Sequence, residues 1–341
     1  LGDRWRGVIQ DTASTATFVA LVCARERATD YGATRTGLQG ATTELVVYVA
    51  SQSHSSVEKA ALLAGFGRLQ LRVVPVDEHY AMSPAALEQM LVADRAAGRQ
   101  PCAIVATCGT TATTALDPID SLAQLAAKYQ CWLHVDAALA GSAMIVPECR
   151  KLWEGIEAAD SLVVNPHKWL GVAFDCSTYY VRDVEHLVRV MSSNPSYLQT
   201  TADGTEPNYR DWGVPLGRRM RSLKLWFVIR EQGVAGLQTR IRRDLGYAQW
   251  FAAAVDAAPE WRRLAPVPLQ TVCVRHEPAG LVGEALDRHT LAWVNRVNRS
   301  GEAYLTPAQL DGRWMARVSF GTHTTMQQHV EALWTLLQRT V

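Results

Sequence analysis

Between residues 44 and 181 the sequence alternates short apolar runs rich in β-branched residues with longer segments of helical period, and this alternation constrains the fold more than any other feature. Strand-type runs fall at 44–50, 69–74, 102–107, 132–136, 161–165 and 176–181, with helical segments at 57–65, 83–97 and 118–129. The pair Ser83-Pro84 is an N-cap followed by proline at the first helical position, which starts a helix without wasting a backbone donor. Strands that alternate with helices, and that are apolar along their length, belong in a mostly parallel sheet covered on both faces. The expected fold class is therefore α/β. Past Gly217 the rhythm changes to helices at 218–232 and 237–257, a strand at 271–275, a helix at 284–299, a strand at 315–320 and a closing helix. That pattern predicts a smaller α+β domain over 234–341, behind a large domain over 1–233, with the boundary in the glycine-bearing stretch 233–236.

In open α/β sheets, ligands are held where strands end, and two strand ends carry unusual residues. Asn165-Pro166-His167-Lys168-Trp169 follows the apolar run at 161–164. An ammonium group placed against a buried strand loses hydration and tends to shed its proton. A neutral amine in a dry pocket is what a carbonyl compound needs for covalent attachment, and pyridoxal phosphate is the commonest such compound. The alternative is a lysine that snorkels to water. An acid at the end of another strand, in His134-Val135-Asp136-Ala137-Ala138, favours the first reading, because a pyridoxal ring needs a carboxylate to keep its nitrogen protonated. The small residues from Ala137 to Gly141 leave room for a flat ring against the backbone. Thr12-Ala13-Ser14 opens a helical stretch over 12–25 and is a seat for a phosphate, or an ordinary N-cap. His54, within Ser51-Gln52-Ser53-His54-Ser55-Ser56, sits on a strand-to-helix turn, either as a ligand contact or as a structural residue.

Charge excludes some partners. With 34 Lys and Arg against 33 Asp and Glu, the net charge of +1 makes no field suited to nucleic acid or an anionic membrane. Seven cysteines without a C-x-x-C pair indicate neither a metal site nor a disulfide framework, but reduced core thiols. No run has the length of a membrane span and no signal-type segment follows the start, so a cytoplasmic protein is expected. The chain opens on Leu1 rather than Met and enters patterned sequence almost at once, which reads as a fragment with a segment missing upstream. Residues 192–210 carry neither period and read as a long loop of the kind that forms lids.

Several stretches together resemble the group II pyridoxal-phosphate decarboxylases, and within them the aromatic L-amino acid decarboxylases. They are Thr12-Ala13-Ser14, Gln52 to Glu58, Ala106 to Thr111, His134 to Ser142, Asn165 to Trp169 and Pro215-Leu216-Gly217-Arg218-Arg219, which in this order cover nearly the whole chain. The resemblance implies a fold-type I scaffold, a homodimer with active sites at the subunit interface, pyridoxal phosphate as cofactor, no metal, and conversion of an aromatic L-amino acid to its amine and carbon dioxide. It implies that Lys168 carries the cofactor and that Asp136 pairs with the ring nitrogen. His54 would stack on one ring face and orient the reacting groups, Ala138 would pack on the other, and Thr110 would lie beside the ring. Ala13, Ser14, Asn165 and His167 would hold the phosphate, with Thr12 as a further contact.

The same resemblance makes Tyr197, on the expected lid, the donor of the proton that replaces the carboxylate; the plain alternative is a loop aromatic. Relatives with Phe at that position, or Asn at the histidine position, run an oxygen-consuming route to an aldehyde, so Tyr197 and His54 favour simple decarboxylation. Gly217 stands where histidine decarboxylases carry Ser, and with His54 would face the substrate, leaving room for a larger ring. Otherwise it merely starts a helix. An aldehyde synthase, a histidine or glutamate decarboxylase, and a cofactor-binding protein without turnover are the competing readings. In relatives the aromatic pocket comes largely from a segment that would precede Leu1 and wraps around a partner subunit.

Overall fold

Runs such as Leu45–Ala50, buried at all six positions, have no polar face to offer water and can only be interior strands. The computed structural model describes residues 1–39, 43–193 and 206–341. These fall into two compact units, one of Leu1–Cys108 with Asp117–Glu231, the other of Gly109–Leu116 with Gln232–Val341. The short stretch 109–116 leaves the first unit and joins the second, an excursion that local periodicity does not signal.

In the first unit, seven described strands form one sheet: β1 Arg6–Gln10, β2 Leu45–Ala50, β3 Leu71–Val74, β4 Gln100–Thr107, β5 Trp132–Asp136, β6 Ser161–Val164 and β7 Ser177–Val181. Their order is β1-β7-β6-β5-β4-β2-β3. The block β3-β2-β4-β5-β6 is parallel, as expected from the alternation, while β7 is antiparallel to β6 and β1 antiparallel to β7. Two reversals restore direction. Strand β1 therefore runs with the parallel block, and the carboxyl ends of β1, β2, β4, β5 and β6 all leave the sheet at one edge.

The helices are α1 Ala13–Ala28, α2 Gly32–Thr36, α3 Ser55–Leu63, α4 Pro84–Ala96, α5 Ile119–Tyr129, α6 Val184–Met191, α7 Ser222–Ala257, α8 Gly283–Ser300 and α9 Gln327–Arg339. Helix α1 packs on β4 to β7 and against α3 and α6, and buries Ala16, Val19, Ala20, Leu21, Cys23 and Ala24. Each such valine or leucine contributes roughly 1.5–3 kcal/mol. Helix α4 packs on α5.

The second unit holds a four-stranded antiparallel sheet, β8 Trp261–Arg263, β9 Thr271–His276, β10 Thr306–Leu310 and β11 Arg313–Ser319, in the order β10-β11-β9-β8. Its core is aromatic: Phe251 meets Trp334 edge-on with centroids 5.6 Å apart, and Trp261 meets Trp293 at 5.3 Å.

Four departures from the sequence expectation have physical causes. Strands β1 and β10 are edges with few apolar residues, so neither shows the run that marks an interior strand. The valines of α6 resemble a strand, yet Asp183 accepts the His186 N–H at 2.9 Å and caps a helix. Helix α7 begins at Ser222 rather than 218, because Arg218 and Arg221 before it are drawn into tertiary bonds with the Ile9 carbonyl and with Asp175. As the sequence led one to expect, it breaks within 233–236, at Gly233, whose φ of 63° no helix contains. All seven cysteines are buried, and none of them is in a disulfide. Among the described residues no helix is long and apolar enough to cross a membrane.

Candidate active site

The candidate residues of the first unit cluster because the sheet delivers them to one edge. Thr12, Ala13 and Ser14 follow β1, His54 follows β2, Asp136 ends β5, and Asn165, His167 and Lys168 follow β6. Strands β5 and β6 are hydrogen-bonded neighbours with Asp136 opposite Val163. The Ala137 N–H donates to the Val163 carbonyl at 3.0 Å and the Asn165 N–H to the Ala138 carbonyl at 3.0 Å, so the acid and the lysine turn are tied together by backbone.

Asp136 is only 5% exposed, and one of its oxygens accepts the Ala138 N–H at 3.0 Å. Among the described residues it forms no ion pair, a state that costs several kcal/mol for a buried carboxylate unless a cation or donor meets it. Ala138 is itself buried and small. Beneath them His134 bridges Ser161 Oγ at 2.9 Å and Thr17 Oγ1 at 3.3 Å, and burial pushes its pKa down to about 4, so it supports the strand as a neutral ring.

At the start of α1 the ordinary-cap reading finds no capping side chain. Thr12 occupies the N-cap position without a side-chain capping bond, and no acid stands in the first turn. The first-turn N–H groups thus lack a capping side chain from Thr12, while Asp11 just outside the helix accepts the Thr12 N–H at 2.7 Å. Ala13 is buried and Ser14 exposed. Asn165 is 3% exposed, and its Oδ1 has no hydrogen-bond partner among the described residues. His167 Nδ1 accepts the Cys176 N–H at 2.9 Å, which leaves the ring proton on Nε2, pointing away as a donor. Burial holds its pKa below the ordinary histidine value.

His54 has the structural role as a helix cap. Its Nδ1 accepts the Ser56 N–H at 3.1 Å and meets Ser56 Oγ at 2.7 Å, capping α3, while the ring remains exposed. Capping by His54 also explains why α3 starts at Ser55 rather than 57.

Three expectations need correction or relocation. Lys168 was expected dry against a strand, but it stands four residues past β6 in a turn and is exposed in this chain. The turn lifts it out of the sheet. Gly217 does not start a helix: it lies five residues before α7, exposed, with nothing within 4 Å of where a Cβ would stand. Thr110 falls in the stretch that packs with the second unit, fully buried, its hydroxyl 2.9 Å from Thr113 Oγ1 and accepting the Ala115 N–H at 3.0 Å. Tyr197 lies outside the described residues.

One functional-looking group escaped sequence reasoning. Asp117, 2% exposed, accepts the N–H groups of Met82 and Thr107, each at 2.7 Å, and so closes the excursion that starts at Gly109. Burial pushes its carboxyl up to about 6 against the pull of those two donors. With the folded pKa above the unfolded one, its contribution is fully present below pH 4 and is lost as pH rises through 6. Asp117→Asn keeps an acceptor without the charge. Urea midpoints should show wild type losing up to about 3 kcal/mol against this variant between pH 4 and 7; a constant difference would contradict the assignment.

Residues 3–277 match the family described as the pyridoxal-dependent decarboxylase conserved domain. The chain belongs to that family. As a member of it, the chain is 40% identical to tryptophan decarboxylase TDC1 of Camptotheca acuminata over 97% of its own length and 66% of the relative's. It is also 40% identical to an aromatic-L-amino-acid decarboxylase of Drosophila lebanonensis, over 98% and 81%. A crystal structure of Oryza sativa TDC with PLP and tryptamine superposes with a TM-score of 0.93 at 37% identity, covering 99% of this chain and 70% of that one. The chain thus spans 66% of the length of the Camptotheca relative.

The residues present fit the family's cofactor, pyridoxal phosphate. A buried carboxylate without an ion pair suits a protonated ring nitrogen, and an uncapped helix start, an incompletely bonded amide and an Nε2–H donor suit a phosphate.

Proposed function

We propose that this decarboxylase chain converts an aromatic L-amino acid to the corresponding amine and carbon dioxide, with pyridoxal phosphate as cofactor. The observation that carries the reading is the adjacency of β5 and β6, which puts a buried carboxylate, without an ion pair among the described residues, beside the turn that bears Lys168. Bound pyridoxal phosphate supplies an electron-accepting ring that takes up the pair left when carbon dioxide departs. Lys168 supplies the amine that holds it, and Asp136 keeps its ring nitrogen protonated. Ala13, Ser14, Asn165 and His167 hold the phosphate, with Thr12 beside them. Ala138 and His54 would lie against the ring, and the family resemblance assigns Thr110 a place beside it. With the ring clamped, the substrate carboxylate can be fixed in the orientation from which it leaves, a positioning effect worth up to several kcal/mol. Tyr197 then delivers a proton to the α-carbon from a site shielded from bulk water. Gly217 leaves space for an aromatic side chain.

The protein acts as a cytoplasmic homodimer with its sites at the subunit interface. The exposure of Lys168 and His54 in a single chain supports a second wall from elsewhere, and seven cysteines outside any disulfide suit a reducing compartment. Products formed from mixed tryptophan, tyrosine, dihydroxyphenylalanine and histidine, analysed by mass spectrometry, test the reading. Amines of the aromatic substrates are expected. Aldehyde with hydrogen peroxide would assign an aldehyde synthase, histamine alone a histidine decarboxylase, and a coloured protein that releases no carbon dioxide a binding protein without turnover.

A further inference from the structure

Behind the turn that bears Lys168 stands an ion pair that the proposed chemistry does not use. Asp175 Oδ1 and Oδ2 accept from Arg221 Nε and Nη2 at 2.9 and 3.1 Å, a bidentate fork, with Lys224 Nζ 3.8 Å from Oδ1. The fork is largely withdrawn from water, with side chains 14% and 20% exposed. That is the setting in which such a pair is geometrically specific rather than a loose surface contact. Arg221 stands immediately before α7, and Asp175 immediately before Cys176. Cys176 in turn grips His167 at both ends: its N–H donates to His167 Nδ1 at 2.9 Å, and its carbonyl accepts the His167 N–H at 3.2 Å. The side-chain fork therefore terminates a chain of contacts that runs from α7 through one backbone residue to an imidazole.

We infer that Arg221 and Asp175 are positioning residues for the cofactor phosphate: by holding Asp175 the fork holds the Cys176 N–H, which fixes the tautomer and aim of His167. The Nε2–H of His167 is then presented to the phosphate at no cost of rotation or tautomer exchange. Without the fork, the 174–176 backbone is free to turn, Nδ1 loses its dedicated donor, and the ring can populate the tautomer that presents a lone pair to an anion. This rests on the reading that His167 holds the phosphate.

Apo-protein titrated with pyridoxal phosphate and, separately, with pyridoxal, which lacks the phosphate, gives the test. Arg221→Met should raise the Kd for pyridoxal phosphate about tenfold, the worth of one hydrogen bond to a charged group, and leave the Kd for pyridoxal unchanged. Asp175→Asn is the second variant, expected to do the same should the first fail to fold. Nitrogen-15 spectra of the wild type should show a single His167 tautomer with Nδ1 bare, and a mixture in either variant. Equal weakening of both ligands, or an unchanged ratio, would make the fork a mere staple of α7 and overturn the inference. His167→Ala separates the two levels: if it leaves the ratio of the two Kd values unchanged, the phosphate reading itself fails. If it lowers the preference for the phosphorylated ligand while Arg221→Met does not, only the positioning role fails.

Discussion

Lys168→Ala abolishes the visible absorbance that the bound cofactor gives the protein and lowers decarboxylation by at least about 10³-fold, the scale of losing a single catalytic group. The expectation follows from chemistry and not from burial. Attachment of an aldehyde needs an amine that can lose its proton, and among the described residues that directly follow the strand ends at the common edge of the sheet only Lys168 offers one. Lys168→Arg should be no better, because a guanidinium stays charged at any accessible pH and cannot serve as that nucleophile. Stability should change little, since the residue is exposed. Absorbance spectra and carbon dioxide release, measured with thermal midpoints, separate this chemical loss from unfolding; an unchanged spectrum in the alanine variant would remove Lys168 from the site.

Asp136→Asn should cost about 10²–10³-fold in kcat while the fold is retained or even stabilised in the absence of cofactor. The wild-type carboxylate is buried with a single backbone donor and no ion pair among the described residues, so the empty protein bears the penalty of a charge that only a bound cation offsets. The amide removes that penalty and, with it, the ability to hold a proton on the ring nitrogen. It can still accept the Ala138 N–H, so strand β5 should not shift. Opposite signs in the two measurements, a higher apo midpoint and a lower turnover, are the signature of a residue placed for its ligand. A lower apo midpoint with unaltered turnover would make Asp136 structural.

The parallel block and its edge were legible because apolar runs without a polar face can be buried only in a covered sheet, and ligand residues follow the ends of such strands. Asp136, Asn165, His167 and Lys168 could be read on that basis, and so could His54 and Thr12 to Ser14. What could not be read depends on pairs distant in sequence. Asp117 is recognisable only once Met82, from another connection, turns its N–H toward it. The Arg221 and Asp175 fork joins residues 46 apart, and Arg221 had read as part of a helix. The exposure of Lys168 was invisible for the opposite reason: proximity to a buried strand suggested a dry amine, whereas the turn from Pro166 carries it clear. Edge strands β1 and β10, half polar and short, carry too weak a period to be seen, yet β1 decides where Thr12, Ala13 and Ser14 stand.

Peptide mapping after borohydride reduction of the cofactor-loaded protein tests the central claim most directly. The sequence has five lysines, Lys59, Lys128, Lys151, Lys168 and Lys224, so the site of attachment is unambiguous. A pyridoxyl phosphate adduct stoichiometric on the peptide that contains Lys168, and absent from the other four, is the predicted result. An adduct on any of those four, or none on Lys168, would contradict it.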